Sequence, residues 1–187
     1  MDTSLGNYVG RVVIRVMERQ DLERSRKLHN DDSTLLQLSD IEHISETQQE
    51  AWFLSMSSSK KSRRYTILDA RSGEFIGIFR VDMLDLVNKS VCVGLDIESN
   101  MRGKGYAKEI YGYFMDYFFL HFGMHRLYLA VLETNSLARS LYVDLGFQDE
   151  GVHRKAIFRG GKYVDLIWMS MLRNEFDARR NCDAEGK

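Results

Sequence analysis

Residues 102–107 read Arg-Gly-Lys-Gly-Tyr-Ala, two glycines and two cations between a strand-like apolar run and a long aromatic stretch. A helix that begins after such a run leaves about four backbone N–H groups without intrahelical acceptors and carries partial positive charge in its first turn. Gly103 and Gly105 remove the Cβ atoms that would keep a phosphate away from those donors, and Arg102 and Lys104 add full charge beside them. The chemistry on offer is a diphosphate cradle made mainly of main chain. Two other phosphate motifs are excluded by spacing. No Gly-Lys-Ser/Thr closes the run, and Lys108 stands where a dinucleotide fingerprint has its third glycine. The alternative is a tight turn into a helix and nothing more. The hexapeptide alone leaves both readings open.

The elements that must position this run follow from periodicity. Val12, Ile14 and Val16 alternate within an expected strand over Tyr8–Met17, followed by a charged helix over Glu18–His29 and a breaker cluster at Asn30-Asp31-Asp32-Ser33. Ser45 and Gln48 have capping-box spacing ahead of a helix whose apolar side is Ala51, Trp52 and Met56. Runs over Tyr65–Asp69 and Phe75–Val81 flank a turn "ARSG", and a third strand is expected over Lys89–Glu98. The helix after the loop should run from Lys104 to Phe122, with Ala107, Ile110, Tyr111, Phe114, Phe118 and Phe122 on one buried face. A strand over His125–Leu132 leads to a helix over Asn135–Leu145 with Leu137, Leu141 and Leu145 at four-residue spacing. A hairpin then turns at Gly160-Gly161, its last strand running over Tyr163–Leu172. The pattern is α+β: a mostly antiparallel sheet with helices on both faces and one strand–helix–strand crossover. One domain is expected over residues 1–176, with a fraying tail over 177–187.

Bulk properties narrow the function classes. A chain of 187 residues with 44% hydrophobic and 28% charged residues fits an ordinary globular protein. Net charge is −1, which offers no electrostatic footprint for nucleic acid, and no run approaches the ~20 apolar residues of a membrane span. Met1 to Ser4 lack the basic and apolar regions of a secretory leader, and Cys92 and Cys182 suggest reduced thiols rather than a disulfide framework. A cytoplasmic location is expected. There is no proline, so turns rest on Gly, Asn, Asp and Ser.

Arg102-Gly103-Lys104-Gly105-Tyr106-Ala107 matches the R/Q-x-x-G-x-G/A signature of the GCN5-related N-acetyltransferases (GNAT superfamily). The resemblance continues in order with Asn135, Tyr142 seven residues on, and Leu145-Gly146-Phe147. The closing stretch "EGVHRKAIFRGGKYVDLIWMSMLRNEF" resembles the branch holding ribosomal-protein and spermidine acetyltransferases. Residues 44–53 resemble a segment of acetyltransferases acting on nucleotide-linked amino sugars. The likeness spans about residues 10 to 176.

This resemblance implies a GNAT fold with a mixed, mostly antiparallel six- to seven-stranded sheet splayed between its two central strands. It implies acetyl-CoA as cosubstrate and an N-acetyltransferase activity toward a primary amine. The diphosphate is expected on Arg102, Gly103, Lys104, Gly105, Tyr106 and Ala107, and the pantetheine arm beside Leu95 and Ile97. Asn135 is either a pantetheine contact or a helix N-cap. Tyr142 resembles the general acid of the family, against the alternative that it packs beside Ala138. For the general base, some relatives carry a glutamate where this chain has Ala130, which leaves Asp96 and Glu98 as the carboxylates chosen here, beside Glu133, His43 or a water chain. No metal site is assigned. The acceptor is an amino sugar, a polyamine or a protein N-terminus, and a homodimer is compatible with the last strand and tail. The acidic bias of Asp31, Asp32, Asp40, Glu42 and Glu46 suits a polycation, whereas Arg154, Lys155 and Arg159 suit a nucleotide-sugar phosphate. The rival class is a catalytically silent acyl-CoA-binding module.

Overall fold

The computed structural model of the chain describes residues 6–185; the leader reading of Met1 to Ser4 and the last two residues of the expected tail lie outside the described residues. Eight strands are hydrogen-bonded in the order β1-β2-β3-β4-β5-β6-β8-β7, one more than the upper expectation. The extra strand arises at Gly10. Its φ of +55° turns the run expected as one strand back on itself, giving β1 (Asn7–Val9) and β2 (Val12–Val16) in antiparallel register. The chain expected as one domain over residues 1–176 is built from two compact units, the first comprising residues 6–83 and Val93–Tyr113, the second Leu84–Cys92 and the chain from Phe114 onward.

In the first unit, a 3-10 turn at Arg19–Asp21 leads into α1 (Leu22–Asn30), α2 (Asp32–Leu35) and α3 (Glu46–Ser58). The breaker cluster is a junction between two helices: the Asp31 carboxylate accepts from the Ser33 N–H and caps α2. Ser45 and Gln48 form the reciprocal capping box that their spacing predicts. The apolar side of α3 departs from expectation. Ala51 and Trp52 face solvent, and Phe53 and Met56 are half-buried. Trp52 lies over the Arg64 guanidinium at 5.6 Å, an arrangement that leaves the indole at the surface.

The strands β3 (Arg63–Asp69) and β4 (Phe75–Asp85) pair antiparallel across the "ARSG" turn, and β5 (Ser90–Ile97) follows. Adjacent residues of β4 point to opposite faces, as the two-residue period requires. Ile78 joins Met17, Leu22, Leu28 and Phe75 against Phe53 on the α1–α3 side. Phe79 meets the edge of Tyr111 at 5.5 Å on α4 (Tyr106–Asp116). Helices therefore cover both faces of this part of the sheet. Phe79 and Tyr111 are 0% and 1% exposed, each burial contributing roughly 2–3 kcal/mol. Beneath the helices, Arg15 donates to both oxygens of buried Asp21 at 2.6 Å, and Thr66 donates to the same carboxylate at 2.9 Å.

Gly77 fixes how closely β4 approaches β5. A Cβ at this position would stand 2.0 Å from the Asp96 carbonyl oxygen, a main-chain atom that cannot swing aside. Gly77→Ala is expected to lower stability by roughly 1–3 kcal/mol through this overlap, read as a lower urea midpoint at unchanged slope.

In the second unit, residues Ser90 to Cys92 of β5 pair in parallel with Arg126 to Tyr128 of β6 (Arg126–Leu132), and β8 (Lys162–Leu172) lies antiparallel between β6 and β7 (Gln148–Arg159). The helix expected to reach Phe122 stops at Asp116 and continues as a π turn over Tyr117–His121, closed by Phe122 N–H donating to the Tyr117 carbonyl at 2.9 Å. The added residue rotates the face, so Phe118 and Phe119 are both buried and Phe122 is turned outward. On α5 (Ser136–Leu145), Ala138, Leu141, Tyr142 and Leu145 make the inward stripe. Leu137, expected inside, is 86% exposed. Four-residue spacing drifts around a helix of 3.6 residues per turn.

The expected tail is largely helical. α6 (Arg173–Glu185) continues from β8, held by Phe176 stacked on Phe119 at 4.7 Å and by the Arg173–Asp177 pair at i, i+4. Among the described residues, no helix is long and apolar enough to cross a membrane.

Candidate functional site

The loop between β5 and α4 belongs wholly to the first unit. After Ile97 the chain makes a 3-10 turn, Ser99–Met101, capped by Glu98, whose carbonyl accepts from the Met101 N–H at 2.9 Å. Gly103 and Gly105 then take φ values of +73° and +85°, the left-handed region that side chains disfavour. Gly103, Lys104 and Gly105 are exposed, and a Cβ at Gly103 would meet nothing within 4 Å. Lys108 N–H donates to the Gly105 carbonyl at 3.2 Å, so the amides of Tyr106 and Ala107 are among those that a helix start leaves without an intrahelical acceptor. The result is an exposed loop over residues 102–105 leading into the N-terminus of an eleven-residue helix. An anionic diphosphate fits that donor set.

The two cations of the loop have different duties. Arg102 is a structural strut: its Nε donates to the Ile97 carbonyl at 2.8 Å and its Nη2 to the Thr34 hydroxyl at 2.9 Å. Its side chain holds the loop to the end of β5 and to α2. Lys104 extends along the loop, its ammonium 3.6 Å from the Met101 sulfur. At the far end, Tyr106 donates its hydroxyl hydrogen to Asp69 at 2.7 Å. The Arg11 guanidinium lies 4.9 Å from the Tyr106 ring centre and pairs with Glu109 at 2.9 Å. Thr34, Asp69 and Arg11 have no signal in sequence spacing, since they reach the loop across 68, 37 and about 95 positions. Only the "DARSG" turn around Asp69 is legible locally.

Hydrogen bonds from the Ser72 amide, the Tyr106 hydroxyl and the Arg71 amide lower the Asp69 carboxyl to about 2. A carboxyl whose folded value lies below its unfolded value stabilises fully above the unfolded one, near 4, and loses that contribution as pH falls toward 2. The stability gap between the protein and Asp69→Asn should therefore be open at pH 6 and narrow at pH 3, measured as urea midpoints. A gap that stays constant over that interval contradicts the assignment.

The two carboxylates near the end of β5 differ in availability. Asp96 forms an ion pair with Arg80 at 2.9 Å, and the Arg80 guanidinium lies flat across Gly94, where a Cβ would come within 2.7 Å of it. Glu98 is half-buried, and its carboxylate has no ion pair or hydrogen bond among the described residues. Leu95 and Ile97 flank Asp96 on β5, both half-buried.

Asn135 and Tyr142 belong to the second unit. The Asn135 side-chain Oδ1 accepts from the Ala138 N–H at 3.2 Å, which makes it the N-cap of α5. Tyr142 is 9% exposed on the inward stripe beside Ala138, its ring 6.0 Å from Phe147. Gly146, at φ +98°, ends α5 in a left-handed cap with its N–H on the carbonyls of Tyr142 and Val143, the "LGF" stop. Glu133 accepts from the Asp165 N–H at 2.9 Å and sits with Lys155 and Asp165 in a charge cluster, while His43 and His153 are exposed, His153 accepting from the Trp168 indole at 3.3 Å. Lys155 is thus drawn to carboxylates. Ala130 is exposed on β6, opposite Trp168 in the ladder.

A strand, a glycine loop with two left-handed positions and a helix start together suit an anionic ligand. The acetyltransferase (GNAT) domain family matches residues 14–168, and the chain belongs to that family. It is 26% identical over 165 residues to spermidine N(1)-acetyltransferase of Vibrio cholerae serotype O1, an alignment covering 88% of this chain and 95% of that one. The crystal structure of spermidine N-acetyltransferase from Vibrio cholerae in complex with CoA and spermine superposes with a TM-score of 0.84 at 25% identity, over 89% of this chain and 98% of that one. A dodecameric structure of the Vibrio cholerae enzyme matches at a TM-score of 0.78 and 26% identity, over 89% and 96%. The chain is an N-acetyltransferase with the GNAT fold that uses acetyl-CoA as cosubstrate.

Proposed function

We propose that the chain acetylates a primary amine of a polyamine, of the spermidine class, by direct attack within a complex that holds both substrates. The observation that carries this reading is the glycine loop at residues 102–107, exposed over 102–105, within a family match spanning residues 14–168. The acceptor class is supported by the relatives from Vibrio cholerae, whose alignments span nearly the whole of both chains, and by the exposed acidic residues Asp31, Asp32, Asp40, Glu42 and Glu46. Assembly into a homo-oligomer is part of the proposal, by analogy with the dodecameric relative.

In this reading the amides from Gly103 to Ala107 bind the diphosphate, and Arg102 acts through its grip on Ile97 rather than by contact. The pantetheine arm lies along β5 beside Leu95 and Ile97. An alkylammonium with pKa about 10 must lose a proton before attack. Glu98 is the better candidate to receive it, because the Arg80 ion pair holds Asp96 as a bound carboxylate. Tyr142 donates a hydrogen bond to the leaving sulfur. A phenol of pKa about 10 beside a thiol of about 8.5 favours a bond that strengthens with sulfur charge over complete transfer in water. Residues 1–176 act as one catalytic domain.

The test is release of free thiol from acetyl-CoA in the presence of spermidine, spermine, an amino sugar and a short peptide. Turnover with the polyamines above the others supports the proposal. Turnover only with the amino sugar or the peptide overturns the acceptor, and CoA binding without turnover on any amine favours a silent binding module, a reading to which the Asp96–Arg80 pair lends weight.

A further inference from the structure

We infer that Asp69 and Tyr106 act as one positioning pair that holds the loop over residues 102–107 in its phosphate-binding shape. The inference rests on the reading of that loop as the acetyl-CoA site. Gly103 and Gly105 make the loop capable of its left-handed geometry and also capable of leaving it. Between them the chain is exposed, so its shape is imposed from the two ends. The near end is tied by Arg102 to Ile97 and Thr34. The far end is tied by Tyr106, 8% exposed, whose hydroxyl reaches Asp69 in the turn between β3 and β4.

The division of labour within the Asp69 carboxylate supports the inference. Oδ1 accepts from the Arg71 and Ser72 amides at 2.9 Å each and from the Ser72 hydroxyl at 3.2 Å, which closes the turn. Oδ2 accepts from Tyr106 at 2.7 Å. The turn that joins β3 to β4 thereby supports the first residue of α4. Arg11 supports the same point from the β1–β2 turn: it stacks on the Tyr106 ring, pairs with Glu109 one helical turn on, and places Nη2 3.2 Å from where a Cβ of Gly105 would be. A loop that must present several amides at once gains affinity when its shape is set before the ligand arrives. Asp69 and Tyr106 would therefore govern affinity for the phosphate-bearing part of the ligand and leave the reacting end alone.

Calorimetric titration of CoA and of S-acetylpantetheine, which lacks phosphate, into the protein, Y106F, D69N and the double variant tests this. Asn at position 69 keeps an oxygen for the turn amides and replaces the charged acceptor of Tyr106 by a neutral N–H donor, which weakens the bond without deleting a side chain, so D69N carries the test if Y106F does not fold. CoA affinity should fall about five- to tenfold in each single variant and no further in the double, because both act on the same contact. Binding of S-acetylpantetheine should hold, and D69N should keep its turnover at saturating acetyl-CoA. Additive losses, or equal weakening of S-acetylpantetheine, overturn the inference. A native protein that binds CoA alongside variants of undiminished affinity overturns the inference alone, and a native protein that does not bind CoA overturns the site itself.

Discussion

Tyr142→Phe is expected to lower turnover by about a hundredfold while holding the KM for acetyl-CoA within about twofold, the lower end of what a positioned general acid contributes. The substitution keeps the aromatic ring that packs near Phe147 and removes the phenol alone. Burial of Tyr142 on the inward stripe of α5 is compatible with pure packing as well, and the two roles separate in this experiment. Packing would show as a lower melting temperature with turnover intact. A chemical role shows as lost turnover at nearly unchanged melting temperature. The deficit should be smaller for thioesters with a more acidic leaving thiol, which need less help as sulfur gains charge.

The second large effect is expected at Gly105. Its φ of +85° lies where a β-branched residue is strained by roughly 1–3 kcal/mol, and a Cβ there also approaches Arg11 at 3.2 Å. Gly105→Val should release the loop from its left-handed turn and weaken acetyl-CoA binding by about ten- to a hundredfold. Gly112, inside α4 with open space around it and no left-handed backbone, is the matched control. Gly112→Ala should leave binding unchanged and raise stability slightly, since alanine is favoured over glycine within a helix. Both variants together distinguish a loop that binds through its backbone shape from one that merely tolerates glycine.

Local chemistry explains which features were legible in the sequence. The capping box at Ser45, the "ARSG" hairpin, the start of α5 at Asn135 and the glycine loop are each decided within a few residues, and each stands where its spacing put it. Two of the misreadings share an origin, a periodic pattern interrupted at one point. Gly10 reverses a run whose hydrophobic alternation continues straight through it. The π turn after Asp116 changes which aromatics face inward, so Phe119 is buried in place of Phe122. α6 depends on Phe176 finding Phe119, a contact over 57 positions that no local signal announces. The site followed the same division. Gly103, Gly105 and the motif order pointed to acetyl-CoA, whereas the commitment of Arg102 to Thr34 and of Asp96 to Arg80 appears only in three dimensions. Those pairings tie Arg102 to Ile97 and Thr34 and Asp96 to Arg80, which is why Glu98 is the carboxylate proposed as proton acceptor.

The proposed function requires the backbone of residues 102–107 to hold a diphosphate. Titration of CoA into the purified protein by calorimetry measures that directly. A saturable heat at one CoA per chain, abolished or strongly weakened by Gly105→Val and retained by Gly112→Ala, is the predicted result. Absence of any heat of association with CoA or acetyl-CoA, or equal binding by both glycine variants, contradicts it.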